Sequence, residues 1–163
     1  MAIKNIKLII TDVDGVLTDS GYIYDHNGNI SKKFNTRDFF AINFIKNKVK
    51  IPVMGLSGAS DGATIQRFQS EEIPLAYGIS NKLHFMNELI GRMNISFDEI
   101  AFIGDHWIDA PLLKKVNISF CPLDAIPYVK EICKHQSACK GGDGVVDDFV
   151  MQFFKEEYEK MNS

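Results

Sequence analysis

Short runs of consecutive apolar residues, interleaved with stretches of helical spacing, constrain this chain more than any other feature. The runs occupy residues 6–11, 51–56, 75–78, 100–103 and 118–121. They are apolar at successive positions rather than at alternate ones, as strands buried on both faces require. Helical patterns cover residues 39–48, 62–70, 82–93, 110–115 and 126–133, and a last amphipathic stretch runs over 145–159. Alternation of this kind predicts an α/β fold around a doubly wound, Rossmann-like parallel sheet. The 163 residues fit one domain of ordinary size, and no repeat or Pro/Gly/Ser-rich linker divides them, so residues 1–163 are read as a single domain.

One segment breaks the alternation. Residues 21–34 carry β-type patterning on both sides of Asn27-Gly28, a strong short-range hairpin signal. A two-stranded hairpin is marginal alone in water. Its apolar side chains Tyr22, Tyr24 and Phe34 therefore need cover, either from their own domain or from another subunit, and the second is the expectation.

Composition removes several function classes. The net charge is −3, and the Lys and Arg residues are scattered among acids, so nucleic acid is not expected as a partner. The apolar stretch at the N-terminus is too short for a signal peptide or a membrane span. Cys121, Cys133 and Cys139 form no C-x-x-C pair and no zinc spacing, which suits reduced thiols in the cytoplasm. Without a secretion signal, the Asn-x-Ser/Thr triplets at Asn29, Asn94 and Asn117 read as chance.

In open α/β sheets, ligands bind outside the carboxyl ends of the strands. Asp12, Asp14 and Thr18 follow the first strand, and Ser57 and Gly58 follow the second. Lys82 opens the helix after the third, and Gly104, Asp105 and Asp109 follow the fourth. Singly, such residues are turn formers, helix caps or solvated charges. Together they make a set suited to phosphoryl transfer. Asp12 and Asp105 supply hard oxygen ligands for Mg2+. A carboxylate can serve as the nucleophile. Asp14 lies two residues beyond Asp12, close enough to handle the leaving group's proton. Ser57, the N–H groups beside it and Lys82 can hold phosphoryl oxygens as charge develops. Gly15 gives the acidic run after the first strand the freedom to turn.

Asp12-x-Asp14-Gly-Val-x-Thr18 resembles the first motif of the haloacid dehalogenase-like phosphatases. Ser57, Lys82 and Gly104-Asp105-x-x-x-Asp109 fall where the second, third and fourth motifs of that superfamily fall. The resemblance implies Asp12 as nucleophile and Asp14 as general acid/base. It also implies Mg2+ on the Asp12 side chain, the Asp14 carbonyl and Asp105, with the phosphoryl group on Ser57 and Lys82. Thr18 and Gly58 are carried as substrate-side residues. The gaps between motifs hold only the hairpin, two helices and one short strand, which leaves no room for a cap domain. An uncapped site is open to water, and a neighbouring subunit is the expected closure.

Within the superfamily the chain is similar to the capless branch acting on 3-deoxy-manno-octulosonate 8-phosphate. The carrying residues are 12–19, the hairpin, 34–38, Asn81-Lys82-Leu83 and Gly141-Gly-Asp-Gly144. That likeness implies a homotetramer in which hairpins meet, and a sugar acid phosphate from lipopolysaccharide biosynthesis as substrate. Three positions depart from the branch: Ala59 and Asp143 stand where Arg is usual, and His106 where a second Asp is usual. Arg recognises carboxylates by a bidentate fork, and Arg37 remains as a residue able to hold one. Asp143 leans toward the nonulosonate or N-acylneuraminate 9-phosphate phosphatases, whereas Ala59 fits neither branch. Two rivals come from other classes. A receiver domain needs an acceptor Asp after the third strand, where 77–80 has none. A silent assembly domain, like that of sialic acid cytidylyltransferases, can lose catalytic residues, and all the core ones stand here.

Overall fold

A computed structural model describes residues 2–161. Along the chain run β1 (Leu8–Thr11), a hairpin of β2 (Ile23–Tyr24) and β3 (Ile30–Ser31), α1 (Thr36–Phe44), β4 (Val53–Leu56) and α2 (Gly62–Ser70). Then follow β5 (Leu75–Ala76), α3 (Lys82–Met93), β6 (Ile100–Ile103), α4 (Ala110–Leu113) and β7 (Ile118–Cys121). The chain closes with α5 (Pro127–Ile132), β8 (His135–Gln136), α6 (Val145–Phe153) and α7 (Lys155–Met161). Six strands form one parallel sheet in the order β5-β4-β1-β6-β7-β8, the doubly wound arrangement expected. Strand β8 has no counterpart among the apolar runs of the sequence, because His135–Gln136 carries none.

The consecutive apolar residues divide between two cores, since successive side chains of a strand point to opposite faces. Ile9, Ala101, Ile103, Ile118 and Phe120 join one face with Ile42 of α1, Phe68 of α2 and Phe149 of α6. Leu8, Ile10, Ile100, Phe102 and Cys121 join the other with Met86 of α3, Leu112 of α4 and Val129 of α5. Each fully buried aliphatic or aromatic side chain contributes about 1.5–3 kcal/mol. Gly55 of β4 is required by this packing, because a Cβ there would run into the Phe68 ring.

Element ends follow their caps. Asn35 accepts from the Arg37 N–H, so α1 starts at Thr36, earlier than the apolar spacing suggested. It runs on as a wider turn over Ile45–Val49, which Lys50 closes at φ 66°. Asn81 and Asn94 cap α3 at its predicted bounds. The last helical stretch breaks at Phe154, whose φ of −129° is not helical and whose side chain is buried.

The hairpin is partly docked on its own chain. Phe34 packs edge-on against Phe39 at 5.8 Å between ring centroids. Its loop is longer than a two-residue Asn-Gly turn: Gly28 N–H donates to the Asp25 carbonyl, and the Asp25 carboxylate accepts from the Asn27 and Asn29 N–H groups. Gly28 takes the positive φ, 82°, of a three-residue loop. Ile23 and Tyr24 remain 65% exposed. Among the described residues, no helix is long and apolar enough to cross a membrane.

Candidate active site

Because β4, β1 and β6 are neighbours, the residues after them meet at one edge of the sheet. Asp12 continues β1, its N–H donating to the Ile103 carbonyl at 2.8 Å. Asp12, Asp14, Gly58, Ala59, Asp105 and His106 line a hollow of about 240 Å³ there. A larger groove of about 860 Å³ runs between the hairpin and α2, but the carboxylate cluster opens into the smaller hollow.

The nucleophile candidate is clamped. Asp12 is 4% exposed, and its Oδ1 accepts from the Val13 N–H at 2.7 Å and pairs with Lys82 Nζ at 2.7 Å. Its Oδ2 takes no part in these two contacts. Lys82, at the start of α3, is itself buried and pairs with Asp109 Oδ1 at 2.6 Å. The second oxygen of Asp109 accepts from the Asp105 and His106 N–H groups, each at 3.1 Å. Asp109 therefore fastens the loop after β6 to Lys82. A Cβ on Gly104 would press on that carboxylate.

Burial, then the Asp109 charge, pushes Asp12 well above the usual carboxylate range, with Lys82 opposing. The same two causes raise Asp105 to about 7. Burial works against the Lys82 ammonium, but Asp12 and Asp109 outweigh it and hold its pKa up. Ligand oxygens of Asp12, Asp105 and Asp109 all lie within 4.8 Å of one another, and Asp105 Oδ1 is buried without a hydrogen-bond partner. Packed carboxylates with a vacant buried acceptor suit a hard divalent cation, which binds carboxylate oxygen. Both Asp109 oxygens are already engaged, so Asp12 and Asp105 are the donors that fit.

Gly15 makes this closeness attainable. It stands at φ 87°, and any Cβ would collide with the Asp105 carboxylate. Gly141 supports the same loop from beneath, against the Gly15 and Thr18 carbonyls, and the Gly142 N–H donates to the Val16 carbonyl at 2.9 Å.

Other expected residues divide. Ser57 is fully buried at the end of β4, where its Oγ accepts from the Ala59 N–H at 3.1 Å and keeps its O–H to donate. Gly58 lines the hollow. Thr18 is not brought there: it is fully buried, and its Oγ1 accepts from the Ser20 N–H, closing the turn after Asp12. Arg37 is also elsewhere, paired with Asp147 at 2.5 Å beside Thr36 and Phe40. Asp143 is exposed and outside the hollow. Sequence reasoning missed Lys32, whose Nζ meets Asp14 Oδ1 at 2.7 Å, and Tyr22, which lines the hollow from the hairpin.

A family model described as haloacid dehalogenase-like hydrolase matches residues 21–149. The 3-deoxy-D-manno-octulosonate 8-phosphate phosphatase of Haemophilus influenzae is 34% identical over 154 residues, 92% of this chain and 85% of that protein. The protein of the same name from Escherichia coli K12 is 33% identical over 144 residues, 88% of this chain and 76% of its own. The cobalt-bound structure of the Haemophilus influenzae phosphatase superposes with a TM-score of 0.89 at 31% identity, over 97% of this chain and 92% of that one. The Yersinia pestis phosphatase gives 0.90 at 29%, over 99% and 87%. With its acidic loop after β1, buried lysine and acidic pair at the carboxyl edge of a parallel sheet, the chain belongs to the haloacid dehalogenase-like hydrolases and is a phosphatase among them.

Proposed function

We propose that the chain is a magnesium-dependent phosphatase of phosphorylated 3-deoxy-2-keto sugar acids, acting through an aspartyl phosphate on Asp12, with 3-deoxy-D-manno-octulosonate 8-phosphate as its substrate. One observation carries the chemistry: Asp12 has Oδ1 held by Lys82 and the Val13 N–H beside the unpartnered Asp105 oxygen. Similarity to proteins that bear this substrate in their names supports the sugar acid.

The Asp12 and Asp105 side chains and the Asp14 carbonyl would hold Mg2+, which when bound offsets the repulsion between carboxylates and phosphate. Asp12 Oδ2 forms a bond to phosphorus as the bond to the sugar oxygen breaks, and Asp14 gives that oxygen a proton. Asp14, now a carboxylate, takes a proton from water as the water oxygen attacks the aspartyl phosphate. The bond between phosphorus and Asp12 breaks, which frees inorganic phosphate and restores both residues. The Ser57 O–H, the Gly58 N–H and the remaining Lys82 donor hold phosphoryl oxygens through both steps.

Arg37 takes no part in this reading, because Asp147 pairs with it, and Thr18, which does not line the hollow, is given only the closing of the turn after Asp12. Asp143 gives no support to a nonulosonate substrate, since it lies outside the hollow. The hairpin's exposed Ile23 and Tyr24 support a tetramer in which copies cover one another, without a cap domain. Three unpaired thiols suit a cytoplasmic setting.

Phosphate release is measured with and without Mg2+ from octulosonate 8-phosphate, nonulosonate and N-acylneuraminate 9-phosphates and simple sugar phosphates, with Asp12→Asn as control. Preference for the octulosonate ester, lost without Mg2+ and in Asp12→Asn, supports the proposal. Turnover that survives Asp12→Asn refutes the mechanism, and preference for another ester refutes the substrate.

A further inference from the structure

Lys32 lies just beyond β3, next to Lys33. Lys33 is exposed, as charged residues of a hairpin normally are. The Lys32 side chain is fully buried and meets three oxygens: Asp14 Oδ1 at 2.7 Å, Asp61 Oδ2 at 2.6 Å and Thr64 Oγ1 at 3.0 Å. The Tyr22 ring stands over it, 4.6 Å from centroid to Nζ. An ammonium group has three N–H donors and no acceptor. Three acceptors therefore satisfy it and fix its direction. The acceptors come from separate elements: the loop after β1, and the N-cap and first turn of α2. The Asp61 carboxylate also accepts from the Thr64 N–H and hydroxyl, so Lys32 sits in a braced frame.

We propose that Lys32 is a positioning residue for Asp14. By donating to Oδ1 it assigns the catalytic proton to Oδ2 and holds that oxygen toward the hollow, so that the hairpin sets the geometry of proton transfer. The inference rests on Asp14 as the group that protonates the leaving oxygen. The Asp14 side chain is 23% exposed, and among the described residues Lys32 makes the one hydrogen bond and ion pair to its carboxylate. A partly exposed carboxylate without a partner samples several rotamers, whereas proton transfer needs one geometry within hydrogen-bond reach. Buried charge-assisted bonds of this kind are strong and are costly to break singly.

The leaving group gives a readout that a merely structural lysine would not move. An alkoxide must be protonated as it departs; p-nitrophenolate need not be. The ratio of kcat/KM for an alkyl phosphate to that for p-nitrophenyl phosphate therefore reports the acid function of Asp14. It is measured on the magnesium-loaded enzyme for wild type, Lys32→Met, Lys32→Arg, Asp61→Asn and Asp14→Asn. Octulosonate 8-phosphate is the alkyl ester, or glycerol 1-phosphate if the former is not turned over. General acid catalysis contributes about 10²–10⁴-fold, so loss of positioning should lower the ratio about ten- to a hundred-fold in Lys32→Met. Arg keeps the charge but not the geometry and should restore part of it. Asp61→Asn keeps the helix cap and loosens Lys32, so a smaller drop follows. If Asp14→Asn lowers the ratio but Lys32→Met and Asp61→Asn, both folded by circular dichroism, leave it at the wild-type value, Lys32 is only a hairpin anchor and the inference fails. If Lys32→Met does not fold, Asp61→Asn alone decides in the same way. If Asp14→Asn itself leaves the ratio unchanged, the assignment of Asp14 fails and takes this inference with it.

Discussion

Magnesium should stabilise this protein far more at alkaline than at acid pH, and the size of the difference follows from Asp105. Burial and Asp109 raise its pKa from the ordinary 3.8 to about 7. A carboxyl raised on folding contributes stability that is complete below its unfolded value and is lost as pH rises through the folded one. At about 1.4 kcal/mol per pH unit, the span from 3.8 to about 7 corresponds to at most about 4 kcal/mol. Metal-free protein should therefore melt lower as pH climbs through that window. The cation reverses the trend, because it binds the ionised form and competes with protons. A ligand at about a hundred times its Kd stabilises by about 2.7 kcal/mol, which in a chain of this size is a melting shift of about 5–10 °C. Two pH units below about 7, protonation of Asp105 weakens apparent affinity about a hundred-fold. The same magnesium concentration then stabilises by only about 0.4 kcal/mol, or about 1 °C. The assay is thermal melting with EDTA or with Mg2+, from about pH 5 to about pH 8. Taking the difference between the two melts at each pH cancels groups remote from the cation, Asp38 among them. Asp105→Asn should remove most of the magnesium shift. A shift of equal size at both ends of the range, or one that survives Asp105→Asn, would refute the reasoning.

Asp38 provides a second titration, away from the hollow. Its Oδ1 accepts from the Val146 N–H at 2.7 Å, its Oδ2 is buried without a partner, and burial raises its pKa to about 6. The stability of Asp38→Asn relative to wild type should rise by up to about 3 kcal/mol between about pH 4 and about pH 8, as read by urea denaturation. Gly15→Ala forces a side chain onto Asp105 at a positive φ, so isothermal titration should find Mg2+ binding weakened at least about ten-fold. Phe149 is fully buried among Phe120, Phe153 and Phe154, and Phe149→Ala should cost about 3–5 kcal/mol in denaturant melts. Ile23→Asp with Tyr24→Asp should shift the particle to a smaller mass in light scattering while leaving the monomer fold intact by circular dichroism; an unchanged mass would mean that the hairpin is not the interface.

What the sequence made legible depends on whether a residue's task is local. Strands β1, β6 and β7 could be read because both faces are buried, which demands unbroken apolar runs. The bounds of α3 could be read because Asn81 and Asn94 stop it. Asp12, Asp105 and Lys82 could be placed together without coordinates, because strand-end residues of a parallel sheet share one edge. Strand β8 could not be read: a two-residue edge strand beside β7 needs only backbone pairing. Thr18 and Arg37 could not be placed for the opposite reason. A hydroxyl two residues before an N–H can close a turn as readily as it binds phosphate, and Thr18 does so with Ser20. Arg37 finds its carboxylate in Asp147, 110 positions along the chain.

Lys32 is the instructive miss. Lys32-Lys33 reads as a solvated pair, and strand alternation says only that the two point to opposite faces. Which face is buried depends on where the hairpin lies, and that depends on Asp14, Asp61 and Thr64 converging from two other parts of the chain. Two carboxylates and a hydroxyl around one ammonium cannot be inferred from any single stretch of sequence. They are also what lets a hairpin distant in sequence from β6 act on the same hollow as Asp105. The residues proposed to hold the phosphoryl group are written at strand ends, where topology reveals them. The lysine proposed to aim Asp14 is written in a hairpin, where only the folded contacts do.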